Sequence, residues 1–475
     1  MTQKIEETLK FVRDNHFEMI DLKFIDVFGH WHHVTLPAEA LSEETFSKGV
    51  GFDGSSLGFK TVEAGDMVLL PDPETYVVDP FWDMKTLSLI CNIGEPDTKA
   101  ISPKDPRGIA QRAEEYLRAT GIADILLWSP EFEFYIFDSI NYQSDINMAQ
   151  YSIDSVEADW NSGMHQDQNL GHKIPRKGGY HAIPPMDNLF NIRSETVKVF
   201  QQSGIKVRYH HHEVGGPGQS EFEILFYPLV QAADYSMWIK YVTKLMAQRY
   251  KHTVTFMPKP LYNEAGSGMH MHQKMFKNGV PLFFNAAGYA GLSQTALHYI
   301  GGILSHGPSL TAFTNPSTNS FKRLIPGFEA PVNLFFSLGN RSAAIRIPKY
   351  ASGPMEKSLE YRPPDATCNI YLAMSAILLA GLDGIRKKID PTAAGFGPYD
   401  VDMEKAGKEL REKIKPLPAS LKEALDIMRQ DHEYLLAGGV FSEDLIDTWI
   451  ERKMKDYYEI RNRPHPYEMN LYYEA

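Results

Sequence analysis

Cysteine is almost missing from this chain. Two occur in 475 residues, Cys91 and Cys368. Their separation excludes a zinc-ligand spacing and a disulfide framework, and two buried, reduced thiols suited to a reducing cytoplasm are expected. No apolar run approaches the roughly 20 residues that cross a bilayer, and the first fifteen residues are polar and charged, unlike a secretory signal. Basic charge is in deficit: 48 Lys and Arg stand against 60 Asp and Glu, a net charge of −12. Nucleic acid and anionic membranes both call for a basic face, so neither is an expected partner. Small anionic ligands stay open, because they need only a local arginine cluster. A Walker-type phosphate loop, a dinucleotide fingerprint and a nucleophile elbow are all lacking. So are fixed-period repeats and low-complexity tracts.

What is present is ordinary globular material, 43% hydrophobic and 23% charged, enough for a large core. The length suggests about two to four domains. Residues 5–15 read as a short amphipathic helix, with Ile5, Leu9 and Val12 on one side. Ile20, Leu22 and Phe24 then alternate with Asp21 and Lys23, as a half-buried strand does. Gly29 stands at the turn of a hairpin that returns through Trp31 to Leu36. A second strand-rich stretch is cut into short pieces by Pro71, Pro73 and Pro80. Residues 95–108 have linker composition. A helix is predicted from Pro106 to Thr120, with Ile109, Ala113 and Leu117 at helical spacing. Strands then alternate with long helices to the end. The aromatic, apolar terminus NRPHPYEMNLYYEA is expected to dock on something, such as another subunit.

The chemistry lies in acidic strands. In PEFEFYIFD, Glu131 and Glu133 stand two apart and share one strand face, while Phe132 and Phe134 share the other. Adjacent carboxylates repel unless a cation or arginines intervene. HHHEVGGPGQSEFEILFYP repeats the pattern with Glu221 and Glu223, and Glu213 lies just upstream across a glycine-rich loop. Hard divalent cations want oxygen ligands from several segments. Three consecutive histidines, 210–212, point to alternate sides of a strand, so all three do not converge on one ion, and one of them is expected to contact a metal or a phosphate. EAGSGMHMH puts His270 and His272 on one face. An oxygen-rich cluster with one imidazole and no thiolate suits Mg²⁺ or Mn²⁺. Arg323, Arg341, Arg346 and Arg362 fall within forty residues, and their forks match carboxylate and phosphate. Glu329 sits in a Pro-Gly-rich loop suited to a lid.

These motifs together resemble glutamine synthetase of the bacterial type I class. The matching pieces run in the family's order: FDGSS (52–56), PEFEF (130–134), KGGY (177–180), HHHEV (210–214), GSGMH (266–270), NPSTNSFKRLIPGFEAP (315–331), NRSAAIRIP (340–348) and EYRPPD (360–365). AGGVFSEDLID and HPYEMNLYY extend the match to the end of the chain. The resemblance implies an α+β fold: a small N-terminal β-grasp domain, taken as residues 1–105, and a large catalytic α/β domain, residues 106–475, with an antiparallel-sheet active-site funnel. It implies a cytoplasmic dodecamer of two stacked hexameric rings, with active sites between subunits. The implied reaction joins ammonia to L-glutamate using ATP, through γ-glutamyl phosphate.

Roles follow from the resemblance residue by residue. Glu133, Glu213 and Glu221 match the ligands of one metal, and Glu131, His270 and Glu360 those of a second beside the ATP phosphates. Arg341 and Arg346 match phosphate-binding arginines. Arg323, Arg362 and the Gly266 backbone match the glutamate site. Asp53, lent by the adjacent subunit, would hold ammonium with Tyr180 and Glu213 and help remove a proton. Glu329 matches a flap that closes over the intermediate. His211, His272 and Phe226 fall near nucleotide-contacting positions. Glu223 matches no family ligand.

The chain also departs from the pattern. Ala265 replaces an asparagine that contacts the substrate's amino-acid end. PMEKSL, before Glu360, lacks basic residues common there. The residues around Tyr399 differ from an adenylylation motif, so modification there is not expected. Two other readings compete. One is a γ-glutamyl ligase for a larger amine, a polyamine or ethanolamine, which Ala265 would admit but which Asp53 and Tyr180 argue against. The other is a non-catalytic assembly protein, which the intact carboxylate set argues against.

Overall fold

Alternating polarity folds the N-terminus into a hairpin, β1 (Met19–Ile25) and β2 (Trp31–Pro37), turned at Gly29, whose φ of +94° favours glycine. The computed structural model describes residues 2–60, 65–165, 169–327, 330–401, 403 and 405–475. β1 was expected to bury one face. It buries both, because Lys23 on the polar face is sealed between Asp21, Asp79 and the Tyr241 ring. β3 (Val50–Asp53), β4 (Asp66–Pro71), β5 (Val77–Asp79) and β6 (Thr86–Gly94) complete a sheet in the order β2-β1-β6-β4-β3, with β5 on β6. β1 and β6 run parallel. Helices α1 (Thr2–Asp14) and α2 (Glu43–Lys48) belong to this part, and α1 buries Thr8, Leu9 and Val12.

Residues 95–108 are a packed connection rather than a loose tether. Ser102 and Asp105 are buried, and Asp105 caps α3 (Pro106–Ala119) by accepting the Gly108 amide at 3.1 Å. Beyond it lie β7 (Ile125–Phe137), the exposed hairpin β8 (Ser139–Ser144) and β9 (Ala149–Asp154), β10 (Val207–His212), β11 (Gln219–Ile224), β12 (Tyr227–Pro228), β13 (Thr253–Thr255), β14 (Met269–Lys277), β15 (Val280–Pro281), β16 (Asn333–Leu338), β17 (Ala343–Ile347) and β18 (Leu359–Tyr361). Apart from the β8–β9 hairpin, these form one sheet in the order β10-β11-β7-β14-β18-β17-β16, antiparallel except between β16 and β17.

One face of that sheet is apolar. Phe132, Phe134 and Phe222 are fully buried, Phe134 stacks on Phe222 at 5.1 Å, and Phe200 meets Phe222 edge-on at 5.3 Å. Phe200 comes from α4 (Phe190–Gln202), which packs on α5 (Leu229–Arg249). α6 (Gln294–Ser305), α7 (Gly307–Thr314), the short α8 (Ser320–Arg323) and α9 (Ile370–Lys387) follow. α9 is apolar almost all round and buried, as the core helix of a large domain should be. α10 (Lys408–Lys413), α11 (Leu421–Met428), α12 (Glu443–Arg461) and α13 (Pro466–Tyr472) close the chain. Among the described residues no helix is long and apolar enough to cross a membrane. The terminal segment is exposed among the described residues, with Tyr467, Met469, Leu471, Tyr472 and Tyr473 all open to solvent. The architecture is α+β, and the opposite face of the large sheet carries the acidic side chains, most of them buried.

Candidate active site

Strand register builds the site. β7 pairs with β11 so that Glu133 faces Glu221 and Glu131 faces Glu223. On its other side β7 pairs with β14, placing His270 opposite Glu131. β14 carries β18, with His272 opposite Glu360, and β10 sets His211 opposite Glu221. Period-two alternation therefore puts the acidic side chains on one face and the phenylalanines on the other.

Two groups of side chains converge. Glu131, His270 and Glu360 offer ligand atoms within 4.8 Å of one another, and so do His211, Glu213 and Glu221. In the first, the buried His270 Nδ1 has no hydrogen-bond partner. It faces Glu131 Oε2 at 3.4 Å and Glu360 Oε1 at 3.9 Å. A buried orphan nitrogen aimed between two carboxylates is the donor set a divalent cation completes. Glu133, expected with Glu213 and Glu221, is not in the second trio. Its Oε2 accepts the Gly268 amide at 2.6 Å. The consecutive histidines divide as strand geometry requires. His211 turns inward, 3.3 Å from Glu221, while His210 lies by Arg193 and Ser194, and His212 pairs with Glu157 at 3.1 Å.

The charges are unequal. Burial, then the Glu133 charge, pushes Glu213 up to about 8. Burial, then Glu131 and Glu213, raises Glu221 well above the carboxylate range. Burial also works against Glu131 as an anion, but the adjoining His270 and His272 rings outweigh it and hold the group well below its usual value. Glu360 is likewise opposed by burial, yet Arg362, His272 and Arg346 bring it down to about 2. Without a cation, the inner pair keeps protons and the outer pair is balanced by histidines and arginines.

The remaining candidates surround this face. Arg346 and Arg362 both donate to Glu360, and the Arg362 Nε donates to the Arg341 carbonyl at 2.9 Å. Arg341 is exposed, 5.9 Å over the Tyr180 ring. Arg323 is buried, donating to the Pro363 carbonyl at 2.7 Å, with Nη2 3.5 Å from His270 Nε2. A Cβ at Gly266 would stand 2.8 Å from the Arg323 side chain and 2.9 Å from the Pro258 carbonyl, so only glycine fits. The neighbouring Ala265 offers its carbonyl to the Tyr135 hydroxyl at 2.7 Å. His272 is buried beside Glu131 at 3.2 Å. The Phe226 ring carries Lys274 Nζ at 4.1 Å. Asp53 is not brought to the cluster within this chain. It lies exposed at the end of β3, its carboxylate bonded to Ser55 and Ser56. Glu329 lies outside the described residues. Sequence reasoning missed Glu157, a fully buried carboxylate that holds His212 and accepts the Asn188 amide. It also set Glu223 aside, although the period-two pattern had flagged it.

Comparison with known proteins fits this geometry. The family model described as Glutamine synthetase, beta-Grasp domain, matches residues 16–96, and Glutamine synthetase, catalytic domain, matches residues 103–472. A glutamine synthetase of Frankia alni is 47% identical over the full length of both chains. One from Aquifex aeolicus is 46% identical, covering 99% of this chain and 98% of its own. Among solved structures, Plasmodium falciparum glutamine synthetase superposes with a TM-score of 0.88 at 26% identity, covering 98% of each chain. A GmaS/ADP complex does so with 0.80 at 25% identity, over 98% of this chain and 99% of that one. Two family models spanning nearly the whole chain and full-length relatives at this identity lead to one conclusion: this chain belongs to the glutamine synthetase family.

Proposed function

We propose that the two convergent side-chain groups are the cation sites of this ligase. The protein is a glutamate–ammonia ligase, making glutamine with ATP. The observation that carries the assignment is the orphan His270 Nδ1 between Glu131 and Glu360. Glu131, His270 and Glu360 hold one ion. Glu213 and Glu221 would hold the other together with Glu133, which faces Glu221 in register and whose charge bears on Glu213, while His211 stays on the nucleotide side. Oxygen ligands with a single imidazole suit Mg²⁺, with Mn²⁺ as substitute. Bound there, divalent ions neutralise the charge that shifts between oxygens as the phosphoryl group moves.

The chain's own residues do the rest. A carboxylate is a poor acceptor for an amine until one oxygen leaves as phosphate, hence the γ-glutamyl phosphate. Arg341 and Arg346 hold the phosphates of ATP, with His211, His272 and Phe226 lining the nucleotide side. Arg346 already grips Glu360, so phosphate and ion ligand sit at one place. Arg323, Arg362 and the Gly266 backbone hold glutamate. Tyr180 and Glu213 hold ammonium with Asp53 of an adjacent subunit, and Asp53 assists proton removal. Glu329 closes over the intermediate to exclude water. We propose a cytoplasmic dodecamer of two rings, a reading supported by the two buried free thiols, by the exposed apolar side chains of α13, and by an exposed Asp53 whose carboxylate, among the described residues, bonds Ser55 and Ser56.

The test is phosphate release with glutamate, ATP and Mg²⁺ against ammonia, putrescine, ethanolamine and methylamine, with His270→Ala alongside. Ammonia should be the preferred amine, and His270→Ala should lose turnover while keeping the oligomer. Faster turnover with putrescine, or full activity in His270→Ala, would overturn the assignment.

A further inference from the structure

Glu223 is the acidic residue left over. It stands on the same face of β11 as Glu221, opposite Glu131 in register, and only 2% of its side chain is exposed. Such a position invites a third ion ligand. Its partners argue otherwise. Arg208 Nη1 donates to Glu223 Oε1 at 2.7 Å, and the Tyr209 hydroxyl bonds the same carboxylate. Its charge is met by a guanidinium, which a cation would have to displace.

The bridge fixes Arg208 in a particular setting. The guanidinium carbon lies 5.7 Å from the Tyr209 ring centre and 5.5 Å from that of Tyr350. Tyr350 also has Arg346 at 5.9 Å from its ring centre, and Arg346 holds Glu360. Cation and ring alternate outward from the cluster. Unlike Glu223, the Arg208 side chain is 42% exposed, and Tyr209 and Tyr350 are 42% and 55% exposed. Flat, partly open π surfaces and a guanidinium plane, one step beyond a phosphate-binding arginine, suit an aromatic base whose anionic tail points inward.

We infer that Arg208 is a stacking contact for the nucleotide base and that Glu223 is its positioning residue, not an ion ligand. The inference rests on the reading that ATP enters at Arg346. A loose Arg208 would explore many rotamers, and tethering it removes that freedom before the base arrives.

The experiment compares wild type, Arg208→Ala, Glu223→Gln and Arg346→Ala. ADP affinity is measured by calorimetry, inhibition by tripolyphosphate (which has no base) by kinetics, and bound Mn²⁺ without nucleotide by electron paramagnetic resonance. Arg208→Ala and Glu223→Gln should each weaken ADP by about tenfold. The loss should fall on the KM for ATP more than on kcat, and tripolyphosphate inhibition and the Mn²⁺ count should hold. A lost Mn²⁺ in Glu223→Gln, unchanged ADP affinity in Arg208→Ala, or equal weakening of ADP and tripolyphosphate would each overturn the inference. Arg208 is partly exposed, so its alanine variant stays informative if Glu223→Gln misfolds. If Arg346→Ala weakens ADP and Arg208→Ala does not, the inference falls and the site reading stands. If neither does, the site reading falls with it.

Discussion

Loading the inner cation site should release protons, and the amount follows from the site's electrostatics. In the ion-free protein burial and the neighbouring carboxylates raise Glu213 to about 8, and they raise Glu221 well above the carboxylate range. At neutral pH the Glu213 carboxyl largely holds a proton that a divalent ion must displace. A group with a pKa of about 8 is roughly 90% protonated at pH 7 and about 10% at pH 9. Cation affinity should therefore tighten about tenfold over that range from Glu213 alone, about 1.4 kcal/mol, with a further gain from Glu221. Glu131 and Glu360 are both held well below the usual carboxylate range, so their carboxyls contribute none of this pH dependence. The folded protein without ions binds more protons than the unfolded chain above the ordinary carboxylate range. Its stability should fall as pH rises from there toward 8, and Mg²⁺ should reverse that fall. Titration calorimetry with Mg²⁺, in buffers of differing ionisation enthalpy at pH 7 and 9, reads both quantities. Release of roughly one proton from Glu213 per inner ion at pH 7, and far less from it at pH 9, is expected. Release near zero, or affinity unchanged across the range, would refute the reasoning.

Three further outcomes follow from the fold. A Cβ at Gly302 would come within 2.1 Å of the Ala380 carbonyl and 2.7 Å of the Gly384 amide, so Gly302→Ala should force α6 from α9 and cost about 1–3 kcal/mol in urea unfolding. An unchanged midpoint would contradict the contact. His306, at the elbow between α6 and α7, pairs with Asp383 and Asp431, each at 2.9 Å. Burial lowers its pKa, but these bonds outweigh burial and leave it raised, so its contribution is full below about pH 6.5 and lost as pH rises through the folded value. The Tm gap between wild type and His306→Gln should be wide at pH 6 and narrow at pH 9, and a constant gap would sink the argument. Lys23→Met leaves Asp21 and Asp79 buried together and should destabilise by about 3 kcal/mol in chemical denaturation. A neutral result would mean that this charge cluster is not holding β1.

Much of the site was legible because strand alternation is a local rule. Glu131 and Glu133 opposite Phe132 and Phe134, and His211 inward between two outward histidines, follow from a period of two. What alternation cannot supply is a partner from elsewhere. His212 meets Glu157, 55 residues away, across a loop whose path no periodicity encodes. Glu223 had the right face, but only its neighbour Arg208 shows why it stands apart from the ion ligands. Lys23 read as a solvent-facing residue because its cover, Tyr241, arrives from α5 more than two hundred positions later. Tyr467 and Leu471 on α13 are exposed, and the Asp53 carboxylate bonds Ser55 and Ser56 away from the acidic cluster; local alternation names no partner for either.

The central claim, two cation sites on one acidic sheet face, is tested most directly by anomalous diffraction from crystals grown with Mn²⁺ and ADP. The account predicts two peaks per active site, one bounded by Glu131, His270 and Glu360, the other by Glu133, Glu213 and Glu221. A single peak, or peaks away from His270 Nδ1, would contradict it.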